Sequence, residues 1–323
     1  MDLTRRHATA CLLAAAAPMS SARAEVWPVR PVRLVVGFGP GSATDIVARL
    51  ISEELRSEFN RPFVIDNRPG ANGAIASELV ARAEPDGYTL GLTTATVQAI
   101  NPHLRKNLPY DPEKDFSAIA LICSLPYLLV VSPDLPVKSV SEMIAWAGKS
   151  ENNVSYGYAN GPGQIAGWLL AARGGFHAAG VPYRSSPQAI KDVVAREIHY
   201  MFADTASAQP LLQSKNIRAL AIASDRRSPL VSDIPTIEEA AGLKGFDLLT
   251  WIGLVGPAAL PSEIPSRINA VLAKALSKRE MVQRLADLGA DVMTASVQEV
   301  RTFMAKELEV WGKRVREAGI EPT

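Results

Sequence analysis

The sequence has few cysteines and no cluster of basic residues. Two of its 323 residues are cysteines, and one of them, Cys11, lies in a segment that we expect to be removed. Cys123 then has no partner for an internal disulfide, so stability must come from apolar burial, and we expect a buried, inert thiol. Lysine plus arginine (34) nearly balance aspartate plus glutamate (33). A binding surface for nucleic acid therefore has no electrostatic basis.

Long apolar runs and catalytic motifs are missing as well. After residue 24, no apolar stretch approaches the about 20 residues that a membrane-spanning helix requires. His103, His177 and His199 show no zinc-ligand spacing, and no G-x-S-x-G motif makes Ser42 a nucleophile. We therefore expect no catalytic residue, no metal and no cofactor, and a secreted enzyme is the least favoured hypothesis.

Residues 1–24 have the pattern of a cleavable export signal. Two arginines precede an apolar stretch over 8–17, and Ala22 and Ala24 supply the small residues that signal peptidase accepts. We expect cleavage after Ala24 and a location in the periplasm. The Sec and twin-arginine export routes both stay open.

The remaining chain alternates short β-branched runs with helical periodicity, which indicates an α/β fold with largely parallel sheets. The longest helices are predicted over 43–59 and 297–315. The strands of the first half are predicted over 32–38, 63–65, 88–93 and 116–123. The cycle restarts at residue 127, with strands predicted over 128–131, 154–156, 200–202 and 217–223. This restart indicates two lobes rather than one continuous sheet.

The crossings between the two lobes are expected near residues 124–126 and 248–251. Lobe 1 is then discontinuous, with residues 25–124 plus 250–323, and lobe 2 comprises residues 125–249. Two extended crossings make a hinge, which a ligand between the lobes can close.

The strongest local signal is a glycine-rich loop between a predicted strand and a predicted helix. It contains the candidate ligand-binding residues Phe38, Gly39, Gly41, Ser42, Ala43 and Thr44. Glycines let the backbone approach a ligand, and the free N–H groups of a first helical turn attract an anion. It is a poor dinucleotide fingerprint, because Ser42 replaces the third glycine and Pro40 removes a donor. A tight turn without ligand remains the alternative.

Two further segments enter helices in the same way. One spans residues 67–73, and the other contains Gly161, Gly163 and Gln164. Thr93 and Thr94 add hydroxyl groups after the third strand, at the sheet edge where open α/β sheets bind ligands. A cleft built on helix N-termini favours a negative group. The predicted ligand is therefore a small carboxylate.

Several ordered motifs resemble the Bug family, the periplasmic solute receptors of tripartite tricarboxylate transporters. The resemblance covers residues 27–320. Its motifs are Pro31-Val32-Arg33-Leu34-Val35-Val36, Pro40-Gly41-Ser42-Ala43-Thr44-Asp45, Asp66-Asn67-Arg68-Pro69-Gly70-Ala71, Pro85-Asp86-Gly87-Tyr88-Thr89-Leu90, Leu108-Pro109-Tyr110-Asp111-Pro112, Val181-Pro182-Tyr183-Arg184 and Asp233-Ile234-Pro235-Thr236.

The resemblance implies a two-lobed, periplasmic-binding-protein-like (Venus flytrap) fold that holds a carboxylated solute in its cleft. It implies ligand contacts from residues 38–44 and 161–164, from Thr93 and Thr94, and from Asp204 and Thr205 after the strand at 200–202. The expected partner is a membrane permease, and the alternative is a receptor kinase that senses ligand occupancy. We expect a monomer that binds no nucleic acid.

The chain departs from the family pattern near the expected pocket. Gly37, Gly39 and Ser42 replace three residues of the usual Pro-Phe-Pro-Pro-Gly-Gly loop, and the second-lobe loop is shorter and offers Gln164. Ala203-Asp204 stands where the family often has Asp-Asn, and Arg184 is followed by Ser185 rather than glycine. We expect the backbone clamp for a carboxylate to persist while the rest of the ligand differs.

Overall fold

The computed structural model describes residues 27–149, 153–317 and 320–322. The predicted export signal over residues 1–24 lies outside the described residues. In the described part, no helix is both long enough and apolar enough to cross a membrane.

Within the described ranges, eleven strands form two sheets. In chain order they are β1 (Val32–Val36), β2 (Phe63–Asn67), β3 (Thr89–Thr94), β4 (Phe116–Leu125), β5 (Tyr127–Val131), β6 (Ser155–Tyr158), β7 (Ala179–Pro182), β8 (Tyr200–Asp204), β9 (Arg218–Ala223), β10 (Thr250–Pro257) and β11 (Asp291–Val292). The six-stranded sheet has the order β11-β4-β10-β3-β1-β2, and the five-stranded sheet has the order β7-β6-β8-β5-β9. The six-stranded sheet and its helices form one lobe, which we call lobe 1. The five-stranded sheet and its helices form the other, which we call lobe 2.

The helices flank the sheets. They are α1 (Ala43–Phe59), α2 (Ala74–Ala81), α3 (Asn101–Leu104), α4 (Val140–Ala147), α5 (Gly161–Gly174), α6 (Ser186–Ala195), α7 (Thr205–Gln213), α8 (Ile237–Ala241), α9 (Glu263–Leu276), α10 (Arg279–Ala286) and α11 (Val297–Glu317). A π-helical segment, Thr96–Ile100, precedes α3, and single 3₁₀ turns span Ala71–Gly73 and Pro229–Val231. The helix predicted over 43–59 has the observed bounds.

The sheets are mixed, so the expectation of largely parallel sheets is wrong. β1 is parallel to β2 and β3, and β6 is parallel to β7 and β8. By contrast, β10 is antiparallel to β3 and β4, and β5 is antiparallel to β8 and β9. The reason is the crossing between lobes: β5 and β10 enter their sheets directly from the other lobe. They therefore begin at the edge where the helix-linked strands end.

This arrangement brings strand ends and strand beginnings together at the junction of the lobes. Tyr127, the first residue of β5, is paired with Asp204, the last residue of β8. In the other sheet, Ile252 near the start of β10 is paired with Thr94 at the end of β3. The side chains at this junction form the candidate site.

Apolar packing also joins the lobes. One cluster of buried residues includes Ile100 and Leu121 of lobe 1 together with Leu129 and Phe202 of lobe 2. At the start of α5, a Cβ on Gly161 would lie 2.8 Å from Cγ2 of Ile100. A side chain at this position would therefore displace Ile100, so the two lobes are in close contact here.

Candidate functional site

A cleft at the lobe junction is lined by residues of both sheets. It holds about 350 Å³ of space, its open mouth included. Lobe 1 contributes Phe38, Ser42, Ala43, Thr44, Thr94, Thr96, Thr250 and Ile252, and lobe 2 contributes Tyr127, Ala159, Asn160, Ser186 and Asp204.

The N-terminus of α1 faces this cleft. Ser42 caps the helix, since its Oγ accepts a hydrogen bond of 3.3 Å from the N–H of Asp45. The backbone N–H groups of Ala43 and Thr44 have no acceptor among the described residues. Such unpaired amides at a helix start carry a partial positive charge and bind anions without a basic side chain.

Asp45 holds the loop that precedes α1. Its carboxylate is buried and accepts hydrogen bonds of 3.0 Å from the N–H of Gly41, from the guanidinium of Arg49 and from Nδ2 of Asn67. Burial by itself would raise the pKa of Asp45, but the bonds from Arg49, Gly41 and Asn67 outweigh it and lower the pKa. Asn67 also donates to the carbonyl oxygen of Phe38 at 3.0 Å. These hydrogen bonds fix the conformation of the loop in the absence of a ligand.

Two glycines of this loop do not offer their N–H groups to the cleft. The N–H of Gly41, at a φ of 77° that favours glycine, is bonded to Asp45. The N–H of Gly39 donates across the lobe junction to the carbonyl oxygen of Arg184 at 3.2 Å. Neither residue is among those that line the cleft.

The start of α5, which the sequence predicted as a second anion site, is already satisfied within the protein. The N–H of Gly161 donates to Oγ1 of Thr96 at 3.1 Å, and the N–H of Gly163 donates to Oδ1 of Asn160 at 3.0 Å. The N–H of Gln164 bonds to the carbonyl oxygen of Asn160 at 3.1 Å. The Gln164 side chain accepts a hydrogen bond of 3.3 Å from Asn72 of lobe 1. Gly161 and Gln164 thus join the lobes, Gly163 is bonded within lobe 2, and none of the three lines the cleft.

The two threonines at the end of β3 point to opposite faces, because side chains alternate along a strand. Thr94 lines the cleft and is 3% exposed, and its hydroxyl has no hydrogen-bond partner in the part of the chain that is described. Thr93 instead lies with Ser77 and Val80 in a small cavity beside α2. An unpartnered buried hydroxyl at the wall of a cleft marks a position where a ligand can supply the missing bond.

Asp204 and Thr205 stand at the start of α7, and only Asp204 lines the cleft. Asp204 lines the cleft, and its carboxylate accepts bonds from the N–H of Ser207 at 2.9 Å and from Oγ of Ser186 at 2.7 Å. Thr205 is fully buried beside the cleft. Its N–H bonds to the carbonyl oxygen of Pro126, at 3.3 Å.

Of the residues predicted from the sequence, the structure therefore brings six together in the cleft wall: Phe38, Ser42, Ala43, Thr44, Thr94 and Asp204. Sequence reasoning missed Tyr127, Asn160, Ser186 and Thr250. Asn160 had a usable signal, since it is the N-cap of α5 and a small polar residue is common at that position. Tyr127 and Thr250 had none, because they reach the cleft only through the reversed strands β5 and β10.

The charge of the cleft is uneven. Among the described residues that line it there is no lysine, arginine or histidine, and Asp204 supplies a carboxylate. A wider outer cavity of about 940 Å³ shares Phe38 and Ala159 with the cleft and contains Arg105 and Arg184. In the described ranges, no three histidine, cysteine, aspartate or glutamate residues are grouped as metal ligands.

The fold and the cleft define a class of protein, the two-lobed solute-binding proteins. The chain belongs to the family described as the tripartite tricarboxylate transporter family receptor, whose family model matches residues 47–320. Its two sheets and the close structural neighbours below agree with the fold class expected from the sequence.

Three solved structures are close to this one. Rpa4515 of R. palustris, solved with adipate, is 34% identical, has a TM-score of 0.89, and the match covers 92% of this chain and 100% of that one. The periplasmic binding protein BugD is 28% identical, with a TM-score of 0.87 and coverage of 92% and 100%. MatC (Rpa3494) from Rhodopseudomonas palustris, solved with malate, is 33% identical, with a TM-score of 0.85 and coverage of 90% and 100%.

Proposed function

We propose that the chain captures a small carboxylate between its lobes in the periplasm and releases it unchanged to a tripartite tricarboxylate-type membrane permease. The observation that carries this proposal is the cleft wall of lobe 1. There the unpaired N–H groups of Ala43 and Thr44 and the unpartnered hydroxyl of Thr94 line one cavity. All three are neutral donors, which suits a receptor that must bind an anion and also release it.

Magnitudes favour reversible binding by such donors. A helix N-terminus stabilises a negative group by about 0.3–1 kcal/mol when exposed and up to about 2 kcal/mol when partly buried. Each neutral hydrogen bond adds about 0.5–1.5 kcal/mol net. Arg105 and Arg184 lie in the outer cavity rather than in the cleft. Their positive charge can attract an anion to the mouth without fixing it inside.

We propose that the lobes are residues 25–124 plus 250–323 and residues 125–249. β4 of lobe 1 ends at Leu125, one residue past the first boundary, and β5 of lobe 2 begins at Tyr127; the beginning of β10 at Thr250 supports the second boundary. The bonds from Gly39 to Arg184 and from Gly161 to Thr96 then cross the junction and hold the lobes closed.

The periplasmic location rests on the basic, apolar and small-residue pattern over residues 1–24. The similarity of the chain to BugD, a periplasmic binding protein, supports the same location. A cell fractionation with and without residues 1–24 tests it, and a monomer is expected in size-exclusion chromatography. Capture of permease subunits on the immobilised protein supports a transport role, whereas capture of a receptor kinase would replace it with a sensory one.

A thermal-shift panel of organic acids tests the ligand class directly. A ligand at a hundred times its dissociation constant adds about 2.7 kcal/mol to the free energy of unfolding, which gives a clear rise in melting temperature. The panel contains mono- and dicarboxylates, with neutral sugars and simple amines as controls. A response to carboxylates alone is expected. A response to sugars or amines, with none to any carboxylate, would contradict the proposal.

A further inference from the structure

Asp204 is a buried carboxylate that faces the cleft without a cationic partner. It is 2% exposed, and none of the ion pairs found in the described ranges includes it. Its two hydrogen bonds come from neutral donors, the N–H of Ser207 and the hydroxyl of Ser186. Buried charges in proteins are normally paired with an opposite full charge, whereas Asp204 caps α7 and has only the partial positive charge of that helix start. Asp204 therefore stands out among the groups of the cleft.

Asp204 keeps acceptor capacity for a ligand. A carboxylate offers about four lone-pair positions, and Ser207 and Ser186 use one on each oxygen. The neighbouring Tyr127 does not neutralise the carboxylate. Burial raises the pKa of the Tyr127 phenol well above its ordinary value, the charge of Asp204 adds to this, and a hydrogen bond with Thr250 opposes it. The phenol is thus uncharged at neutral pH.

The two sides of the cleft have opposite preferences. On lobe 1, the unpaired amides of Ala43 and Thr44 and the hydroxyl of Thr94 favour a negative group. On lobe 2, Asp204 disfavours a second negative group and favours a positive one. A ligand with only carboxylates would satisfy the first side and be repelled by the second.

We propose that the ligand carries an ammonium group in addition to its carboxylate, and that Asp204 is the residue that binds the ammonium. This inference rests on the proposed capture of a carboxylate by lobe 1. An ammonium supplies both the missing positive charge and hydrogen-bond donors for the free lone pairs of Asp204, whereas a hydroxyl supplies a donor alone. Since the two groups contact different lobes, one zwitterion would link the lobes across the cleft.

Matched pairs of acids test the proposal, because the members of each pair differ only in an amine. The pairs are glycine with acetate, β-alanine with propionate, 4-aminobutyrate with butyrate, aspartate with succinate, and glutamate with glutarate. This series varies the distance between carboxylate and ammonium. Isothermal titration at pH 7 on purified protein is expected to show at least one amino compound that binds about tenfold or more tightly than its parent acid.

The variant Asp204→Asn locates the effect. Asparagine keeps an acceptor oxygen for the N–H of Ser207, so the start of α7 stays capped. The advantage of the amine is expected to disappear in Asp204→Asn, while the parent acid binds equally or more tightly. Asp134→Asn, which removes an exposed carboxylate on the same lobe, serves as the control and keeps the advantage.

The possible failures are distinguishable. Parent acids that bind as tightly as their amino counterparts, or an advantage that survives Asp204→Asn, would overturn the role of Asp204 and leave carboxylate capture in place. If no member of any pair binds, both the capture of a small carboxylate and the role of Asp204 fall. Circular dichroism and the melting temperature of the free variants show that each one is folded.

Discussion

The N–H of Gly39 and the carbonyl oxygen of Arg184 form a hydrogen bond of 3.2 Å between the two lobes. Gly39 lies in the loop between β1 and α1, and Arg184 lies between β7 and α6. The fit is close, because a Cβ on Gly39 would lie 3.1 Å from Cβ of Ser185. Because the two partners belong to different lobes, we expect this contact to be lost when the lobes separate.

Gly39→Val is expected to hinder closure. The added side chain must displace Ser185, and we expect binding of the best ligand to weaken by about tenfold, equal to about 1.4 kcal/mol. Small-angle scattering should show a smaller ligand-induced compaction than in the wild type. Gly148→Val is the control. Gly148 does not line the cleft, and the atom nearest to its added Cβ, the carbonyl oxygen of Ile144, lies at 3.4 Å. Unchanged affinity in Gly39→Val would contradict a role for this contact.

Thr94→Val is expected to separate binding from stability. The hydroxyl of Thr94 has no partner within the described chain, so its removal should leave the free protein equally or more stable. Loss of its bond to the ligand should weaken binding by about 0.5–1.5 kcal/mol. Calorimetry measures both quantities. Thr302→Val, at an exposed position of α11, is the control. A Thr94→Val variant that is destabilised but binds with normal affinity would contradict this prediction.

Asp45 is expected to make stability depend on pH in the acid range. Its pKa is lowered from 3.8 in the folded state, mainly because the bonds from Arg49, Gly41 and Asn67 outweigh the effect of burial. The stabilisation is thus complete above the unfolded value and is lost as the pH falls through the lower folded value. Asp45→Asn should cost about 1–2 kcal/mol at pH 7.

The pH profile of Asp45→Asn provides the check. Melting temperatures of wild type and variant should converge as the pH is lowered below 4, since protonated Asp45 resembles asparagine. Asp66→Asn serves for comparison, because Asp66 also has a lowered pKa but lies away from the cleft and is more exposed. A constant difference between Asp45→Asn and wild type from pH 7 to pH 3 would argue against a titrating Asp45.

Cys123 is expected to resist thiol reagents in the folded protein. It is fully buried in β4, and burial raises the pKa of its thiol. Neither the thiolate nor access to it is then available. Mass spectrometry after brief alkylation should find Cys123 unmodified in buffer and modified in denaturant. Rapid labelling under native conditions would show that β4 is more accessible than the structure indicates.

The helix starts of lobe 1 were predictable because their signals are local. The glycine-rich loop, the Ser42 cap and the periodicity of α1 lie within one short stretch, and the structure places Ser42, Ala43 and Thr44 in the cleft wall. The helix entry at Gly161 was also predicted, and α5 begins there. The bond from Gly161 to Thr96 was not predictable, because it joins residues 65 positions apart. No local pattern can show that an amide is already used by a distant hydroxyl.

The directions of β5 and β10 were missed for a related reason. The alternation of strands and helices predicts parallel pairs, and it holds for β1, β2, β3, β6, β7 and β8. A strand that comes straight from the other lobe has no preceding helix to reverse the chain. Consequently no local sequence pattern predicts that Tyr127 and Thr250 line the cleft.

Pro126 alone separates β4 from β5. Its ring fixes one of the few torsions at that link, and its carbonyl oxygen receives the N–H of Thr205 at 3.3 Å. With so little slack at this crossing, we expect the two sheets to turn relative to each other as rigid bodies about Pro126 when a solute enters or leaves.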